Sequence, residues 1–121
     1  LVRAFTLRGV TFAAINANDA TRYPDDSVAK MRERSASRAF NFPYLRDESQ
    51  QTARAYGAVC TPHFFIIASG KIAYEGRLDD NWREPASATA HDLKDALTAL
   101  LANQPAPRPN TPPMGCSIKW K

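Results

Sequence analysis

The sequence predicts an α/β fold, because apolar strand-like runs alternate with amphipathic helical segments along its 121 residues. The runs VTFAAIN and HFFII are continuously apolar, which is typical of strands buried on both faces. The second run is followed by the turn ASGK and by IAYEGRL, whose alternation predicts the outer strand of a β-hairpin. We therefore expect a central mixed sheet flanked by helices over residues 1–104. A proline-rich tail over residues 105–121 follows this domain.

The helices are predicted from apolar periodicity and from residues that begin or end helices. LVRAFTLRG has the pattern of the last turns of a helix, and SVAKMRERSASRAF predicts a second helix with Asp25 or Asp26 as its N-cap. ESQQTARAYG predicts a compact helix with Asp47 as N-cap and Gly57 as terminator. HDLKDALTALLAN predicts a last helix that Thr89 caps. NFPYLRD, between the second and third helices, predicts a short strand or an extended link.

Composition excludes several classes of function. The formal net charge is +4, but the basic residues are scattered, so we expect no nucleic-acid partner. Without a run of about 18 apolar residues, no transmembrane helix is expected. No signal peptide is visible, so a cytoplasmic location is favoured. Two cysteines are too few for a disulfide-stapled secreted scaffold.

The stretch GAVCTPHFF places Cys60 two residues before Pro62, where a buried strand is predicted to begin. A proline cannot donate an N–H to a strand ladder, so it belongs at the start of a strand, where its peptide bond can be cis. The other cysteine, Cys116, lies in GCSIKWK at the end of the tail, which can dock as an edge strand or as an anchored arm. Spacing alone leaves open whether Cys60 and Cys116 pair, stay free or meet other thiols.

Polar residues follow the first apolar strand. Asn16, Asn18 and Asp19 stand at its carboxyl end, where α/β sheets usually place their sites. Asp79 and Asp80 follow the outer hairpin strand, where paired carboxylates are more often turn and cap residues than an acid–base pair.

The sequence gives little support for a metal site. Cys60, His63, His91 and Cys116 could supply four zinc ligands, but Pro62 intervenes and no second compact pair of ligands exists. No nucleotide fingerprint or phosphate-cradling glycine loop is present either. We therefore expect neither a metal nor an organic cofactor.

Several of these pieces together resemble the peroxiredoxin-like branch of bacterial thioredoxin-family proteins, the AhpC/TSA-type redoxins. The matching pieces keep their order over nearly the whole chain: AAINAND, YPDDS, FPYLRDESQ, ARAYGAVCTPHFF, YEGRLDDNW, HDL and GCSIKWK. The resemblance implies a thioredoxin-like fold and a cis-proline loop that presents an extended substrate. Thr61 and Pro62 would then shape the substrate groove, and Asn16, Asn18 and Asp19 would border it.

The resemblance also implies a thiol-dependent oxidoreductase that acts on disulfides or peroxides. In this family the first nucleophile is a cysteine in a loop that follows an N-terminal strand. LVRAF corresponds to the end of the next helix, so we expect this βα unit and its cysteine before Leu1. Without the strand, the sheet would need direct pairing of its remaining strands or a neighbouring chain. Cys60 or Cys116 would resolve the intermediate, and a thioredoxin-type partner would supply electrons.

Two alternatives remain open. A non-enzymatic binding or structural domain would keep the groove and the anchored tail but would use no thiol chemistry. A third interpretation is that these residues alone form an inert piece of the enzyme. The sequence also leaves the oligomeric state open, and a homodimer is compatible with it.

Overall fold

The computed structural model describes residues 1–81 and 84–121, which divide into two compact units. The first unit comprises Leu1–Ala58 and Ile118–Lys121, and the second comprises Val59–Ser117. The predicted boundary after residue 104 is not tested by this division and stays a prediction. Trp82, which ends the stretch YEGRLDDNW, lies outside the described residues.

The first unit is an α/β arrangement built on a parallel strand pair. Its elements are α1 (Val2–Thr6), β1 (Ala14–Asn16), a 3₁₀ turn (Pro24–Asp26), α2 (Val28–Ser37), β2 (Tyr44–Arg46) and α3 (Gln51–Tyr56). Strands β1 and β2 are parallel, with Ala14 opposite Tyr44 and Asn16 opposite Arg46. Of the two alternatives for NFPYLRD, a short strand or an extended link, the structure has the short strand.

The prediction that VTFAAIN is a strand buried on both faces is wrong. Only Ala14–Asn16 is a strand, and the Ile15 side chain is 47% exposed. Strand β1 has β2 as its one hydrogen-bonded neighbour among the described strands. A strand in such a two-stranded sheet keeps one face open unless another layer covers it.

The predicted N-caps of α2 and α3 are also wrong. The hydroxyl of Ser27 caps α2 by accepting the Lys30 N–H at 3.3 Å. Asp26 instead accepts a hydrogen bond from the Asn16 amide at 3.1 Å, so its carboxylate is engaged elsewhere. Helix α3 begins at Gln51 rather than after Asp47, although Asp47 still accepts the Ala53 N–H at 2.9 Å.

The C-terminal end of α3 is as predicted. Gly57 ends the helix with a φ of 72°, a left-handed conformation that glycine adopts without strain.

The second unit contains the predicted hairpin and the last helix. Its elements are β3 (Cys60–Thr61), β4 (Phe64–Ala68), β5 (Lys71–Gly76), a 3₁₀ turn (Pro85–Ser87), α4 (Asp92–Leu101) and β6 (Cys116–Ser117). Strands β4 and β5 form the antiparallel hairpin, with a register irregularity at Ile66/Ile67, and β3 pairs antiparallel with β6. The Thr61–Pro62 peptide bond is cis, as predicted. The described strands thus pair, parallel and antiparallel, as three two-stranded sheets.

The expectation of a buried first and an outer second hairpin strand is wrong. Ile67 of β4 is 55% exposed, whereas Tyr74 of β5 is fully buried. The reason is the tail: Asn110 lies beside Glu75 in a parallel bridge, so the tail covers the outer edge of β5. The Tyr74 hydroxyl donates a hydrogen bond to the backbone carbonyl of Arg77.

Helix α4 packs its apolar face against the hairpin but lacks the predicted cap. Leu93 and Leu97 are buried on this face. His91 occupies the N-cap position without a side-chain capping bond. Thr89 does not cap the helix, because its hydroxyl donates to the carboxylate of Asp80. None of the helices described here is long and apolar enough to cross a bilayer.

Candidate functional site

The two cysteines lie on neighbouring strands beside the cis-proline. In the β3–β6 pair, Cys60 is opposite Ser117 and Thr61 is opposite Cys116. Of the two arrangements that the sequence allows for GCSIKWK, the structure shows a two-residue strand at Cys116–Ser117, which brings Cys116 next to the proline loop. Cys116 is exposed, Cys60 is half-buried, and both are free thiols.

The register places the two thiols on different faces of this ribbon. Side chains alternate between faces along a strand, so Cys116 shares a face with Thr61 rather than with Cys60. A disulfide needs Cβ atoms that point toward each other, about 3.5–4.5 Å apart. A Cys60–Cys116 bond therefore requires a shift of the β6 register or its release.

The surroundings of Cys60 favour the protonated thiol. Burial raises the pKa of Cys60, and the neighbouring Cys116 adds to this rise. The Cys60 thiol also donates to the Pro62 carbonyl at 3.5 Å, a contact that only the protonated form can make. Because the thiolate is the nucleophile in exchange, Cys60 is poorly prepared to attack.

His63 is not placed to assist either thiol. Its Nδ1 accepts the Val59 N–H at 3.3 Å, and its ring stacks on Phe65 at 4.5 Å. Burial lowers the pKa of His63, although Glu75 opposes this shift, so burial disfavours the charged ring. Within residues 1–81 and 84–121, no group of three or more metal-ligating side chains is arranged to hold a metal.

The tail approaches the proline loop through a glycine. A Cβ atom at Gly115 would lie 2.2 Å from the Thr61 carbonyl oxygen and 3.1 Å from Cδ of Pro62. Real Cβ contacts essentially never come closer than 3.0 Å to backbone, so this packing requires glycine. Gly115 thus lets the backbone of the tail lie directly on the Thr61–Pro62 peptide.

The polar residues predicted to border the groove lie in the first unit, where their contacts are local or with the C-terminal segment. The side-chain amide oxygen of Asn18 accepts the Lys119 N–H at 2.8 Å, and the Asp19 N–H donates to the Lys119 backbone carbonyl at 2.7 Å. The hydrogen bond from Arg22, at 2.8 Å, lowers the pKa of Asp19 against the effect of burial. Asn16 donates to Asp26. Their predicted role as groove residues stays a prediction.

Asp79 and Asp80 have the turn roles that the sequence indicates. Asp79 accepts the Asn81 N–H at 2.9 Å, and Asp80 accepts the Thr89 N–H at 2.8 Å. The Thr89 hydroxyl and backbone N–H groups lower the pKa of Asp80 to about 2. Both carboxylates therefore hold the loop before α4.

An ionic cluster that the sequence did not predict anchors the tail in the second unit. The carboxylate of Asp92 is fully buried and accepts hydrogen bonds from Arg77 and Arg108. Nearby, the Thr111 hydroxyl accepts the Arg77 N–H at 3.1 Å and contacts the Tyr74 hydroxyl at 2.8 Å. Partners this distant along the chain leave no periodic signal in the sequence.

Solved structures show the same fold at substantial sequence identity. An uncharacterized conserved protein from Geobacillus kaustophilus is 43% identical, with a TM-score of 0.90, and the alignment covers 98% of this chain and 64% of that one. A hypothetical protein from Sinorhizobium meliloti 1021 is 33% identical, with a TM-score of 0.87, and the alignment covers 99% and 67%. The chain therefore spans about two thirds of the length of these two proteins. No curated protein shows a significant match.

The family assignment rests on the sequence of residues 1–75, which matches the AhpC/TSA family. The matched region contains the cis-proline loop and both strands of the hairpin up to Glu75. The α/β fold with parallel and antiparallel strand pairs is that of a thioredoxin-like protein, as the resemblance implies. This chain belongs to the AhpC/TSA family.

Proposed function

We propose that this chain is part of a thiol-dependent oxidoreductase that acts on disulfides or peroxides, and that Cys116 is its resolving thiol. The single observation that carries the proposal is the placement of the exposed Cys116 opposite Thr61, next to the cis-proline. Family membership supports the peroxiredoxin type of chemistry.

The reaction begins with a thiolate from a cysteine outside these 121 residues, as in the family that the chain resembles. Its attack on a disulfide gives a mixed disulfide and releases one thiolate, and its attack on a peroxide gives a sulfenic acid and releases an alcohol or water. The Cys116 thiolate then attacks the sulfur of the first cysteine. A disulfide forms, and the second thiolate or water leaves. A dithiol partner of the thioredoxin type reduces this disulfide and is itself oxidised.

Cys116 is better suited than Cys60 to the second step. Exchange requires access to the attacked sulfur, and Cys116 is exposed on a short strand. Cys60 is half-buried, its pKa is raised, and its thiol is bonded to the Pro62 carbonyl. In the proposal, Cys60 supports the proline loop by packing and Thr61 and Pro62 line the substrate groove.

Cys116→Ser and Cys60→Ser form a matched pair of variants to test the proposal. The full-length protein, which carries the first cysteine of the proposal, is reacted with glutathione disulfide, and modified cysteines are located by peptide mass spectrometry. Turnover is assayed with a hydroperoxide and a peptide disulfide. We expect Cys116 to be modified faster than Cys60, because Cys116 is exposed and because burial raises the pKa of Cys60, which lowers its thiolate fraction. Turnover is expected to fall with Cys116→Ser and to persist with Cys60→Ser.

A second candidate function, a non-enzymatic binding or structural domain, is favoured by the environment of Cys60. A thiol held protonated by burial and by a carbonyl has the properties of a packing residue. The same variants decide between the two functions. Full turnover in both variants would contradict the role of Cys116 as resolving thiol. No turnover in the wild type, with reactive thiols, would contradict the oxidoreductase and support the binding domain.

A further inference from the structure

We propose that residues Gly115–Ser117 form a releasable strap over the backbone edge of Cys60–Thr61, and that this strap competes with an extended polypeptide for that edge. Gly115–Ser117 is called the strap below. This inference rests on the proposed function, because it assigns a regulatory role to the tail at the same proline loop.

The strap occupies the place of an extended ligand. It runs antiparallel to β3, with Cys116 opposite Thr61 and Ser117 opposite Cys60. Backbone pairing at a sheet edge is a general mode by which proteins bind extended peptides. The close approach of Gly115 to the Thr61 carbonyl shows that the edge accommodates a second backbone at contact distance.

The pairing is short, whereas the chain on either side is buried. The β3–β6 pair involves two residues from each strand, and Cys116, Ser117 and Thr61 are exposed. By contrast, Thr111 before the strap is 4% exposed, and Ile118 after it is 7% exposed. Thr111 is held by Tyr74 and Arg77 in the second unit. Weak pairing between firm anchors allows the strap to open locally without loss of the surrounding fold.

The strap also accounts for the protection of Cys60. With the strap in place, Cys60 is half-buried and paired with Ser117, and the two thiols lie on different faces. Release of the strap would expose the edge to an incoming chain and would free Cys116 from its fixed register. The same movement that admits an extended substrate therefore gives the resolving thiol the mobility that exchange requires.

Gly115→Ala tests the strap, because its added methyl group meets the Thr61 carbonyl. Ser117→Thr is the matched control, since it adds a methyl group to the same strand and keeps the hydroxyl. We expect Gly115→Ala to raise the rate of Cys60 alkylation by about tenfold or more, as for a site that is closed most of the time, and Ser117→Thr to change it less than about twofold. Equal rates in wild type and Gly115→Ala, with both folded by circular dichroism, would overturn the proposal.

A synthetic peptide with the sequence PPMGSS, residues 112–117 with serine for Cys116, tests the edge itself. Fluorescence anisotropy should show about tenfold tighter binding to Gly115→Ala than to the wild type, because the wild-type edge is already occupied. Failure of the peptide to bind Gly115→Ala would overturn the proposal. Neither readout needs catalytic turnover, so an inactive protein with a releasable strap would refute the proposed function alone.

Hydrogen exchange on the wild type keeps the test decisive if Gly115→Ala does not fold. The amides of Cys60, Thr61 and Cys116 should exchange through local opening, at a rate that low urea does not change. The amides of the β4–β5 hairpin should exchange through larger unfolding, at a rate that rises with urea. The same urea dependence for both groups would show that the strap is a fixed part of the fold and would overturn the proposal.

Discussion

Replacing Asp92 by Asn tests the ionic cluster that anchors the tail. The Asp92 side chain is fully buried and accepts hydrogen bonds from Arg77, whose side chain is 22% exposed, and from Arg108, whose side chain is 48% exposed. A hydrogen bond to a charged group contributes about 1.5–3 kcal/mol, and an exposed ion pair contributes about 0.2–1 kcal/mol. We therefore expect Asp92→Asn to lower the free energy of unfolding by about 2–3 kcal/mol.

Urea denaturation followed by circular dichroism measures this loss. For a slope of about 1–3 kcal/mol per molar urea, the midpoint should fall by about 1–3 M. Asp95→Asn is the matched control, because Asp95 lies on the same helix, contacts Arg108 at 3.1 Å and is 49% exposed. Its loss should stay below about 1 kcal/mol. Equal losses for the two variants would refute the argument that burial makes Asp92 important.

The pH dependence of the Asp92 contribution has a definite sign. Burial acts to raise the pKa of Asp92, but hydrogen bonds from Arg77 and Arg108 outweigh it and lower the pKa. A carboxylate with a lowered pKa in the folded state stabilises above its unfolded pKa, near 3.9, and loses this effect as pH falls through the folded value. Wild type should therefore lose more stability than Asp92→Asn on acidification below about pH 4.

Two further predictions concern the first unit. Gln50→Ala should cost about 1–3 kcal/mol, because the buried side-chain amide of Gln50 donates to two backbone carbonyls, at 2.8 and 3.1 Å, and one of these belongs to the C-terminal segment. Urea denaturation with the exposed Gln51→Ala as control checks this, and equal costs would contradict it. Ser27→Ala should cost about 1 kcal/mol through loss of the α2 cap, while Asp25→Ala should stay within about 0.5 kcal/mol. Thermal denaturation measures both losses of stability. A larger loss for Asp25→Ala than for Ser27→Ala would contradict the Ser27 cap and support the predicted aspartate cap.

Features with a local cause could be predicted from the sequence. The cis-proline, the hairpin turn and the end of α3 each depend on a few adjacent residues, and all three are confirmed. The cap of α2 was missed although its signal is local, because three candidate caps stand in a row. Asp26 could not be assigned from the sequence, since its partner Asn16 lies on β1.

The candidate site was predictable only in part, because some of its features depend on adjacent residues and others on contacts between residues far apart in the sequence. The position of Cys60 before a proline is local information, and the structure confirms the cis bond of Pro62, although β4 begins two residues later, at Phe64. The register that sets Cys116 opposite Thr61 depends on a long connection, so the sequence left the pairing of the cysteines open. The contacts of Asn18 and Asp19 with Lys119 depend on the course of the whole tail.

The prolines of the tail explain why its pairing is confined to short stretches. A proline has no N–H, so Pro109 can only accept from Glu75, at 2.9 Å, while Thr111 donates back to Glu75 at 3.0 Å. Pro112 and Pro113 then prevent a continuous ladder, and pairing resumes only at Cys116 and Ser117. The composition that predicts an extended tail therefore also limits how strongly it can pair. Once β3 is known to be the partner of β6, the prolines before Cys116 explain why β6 is only two residues long.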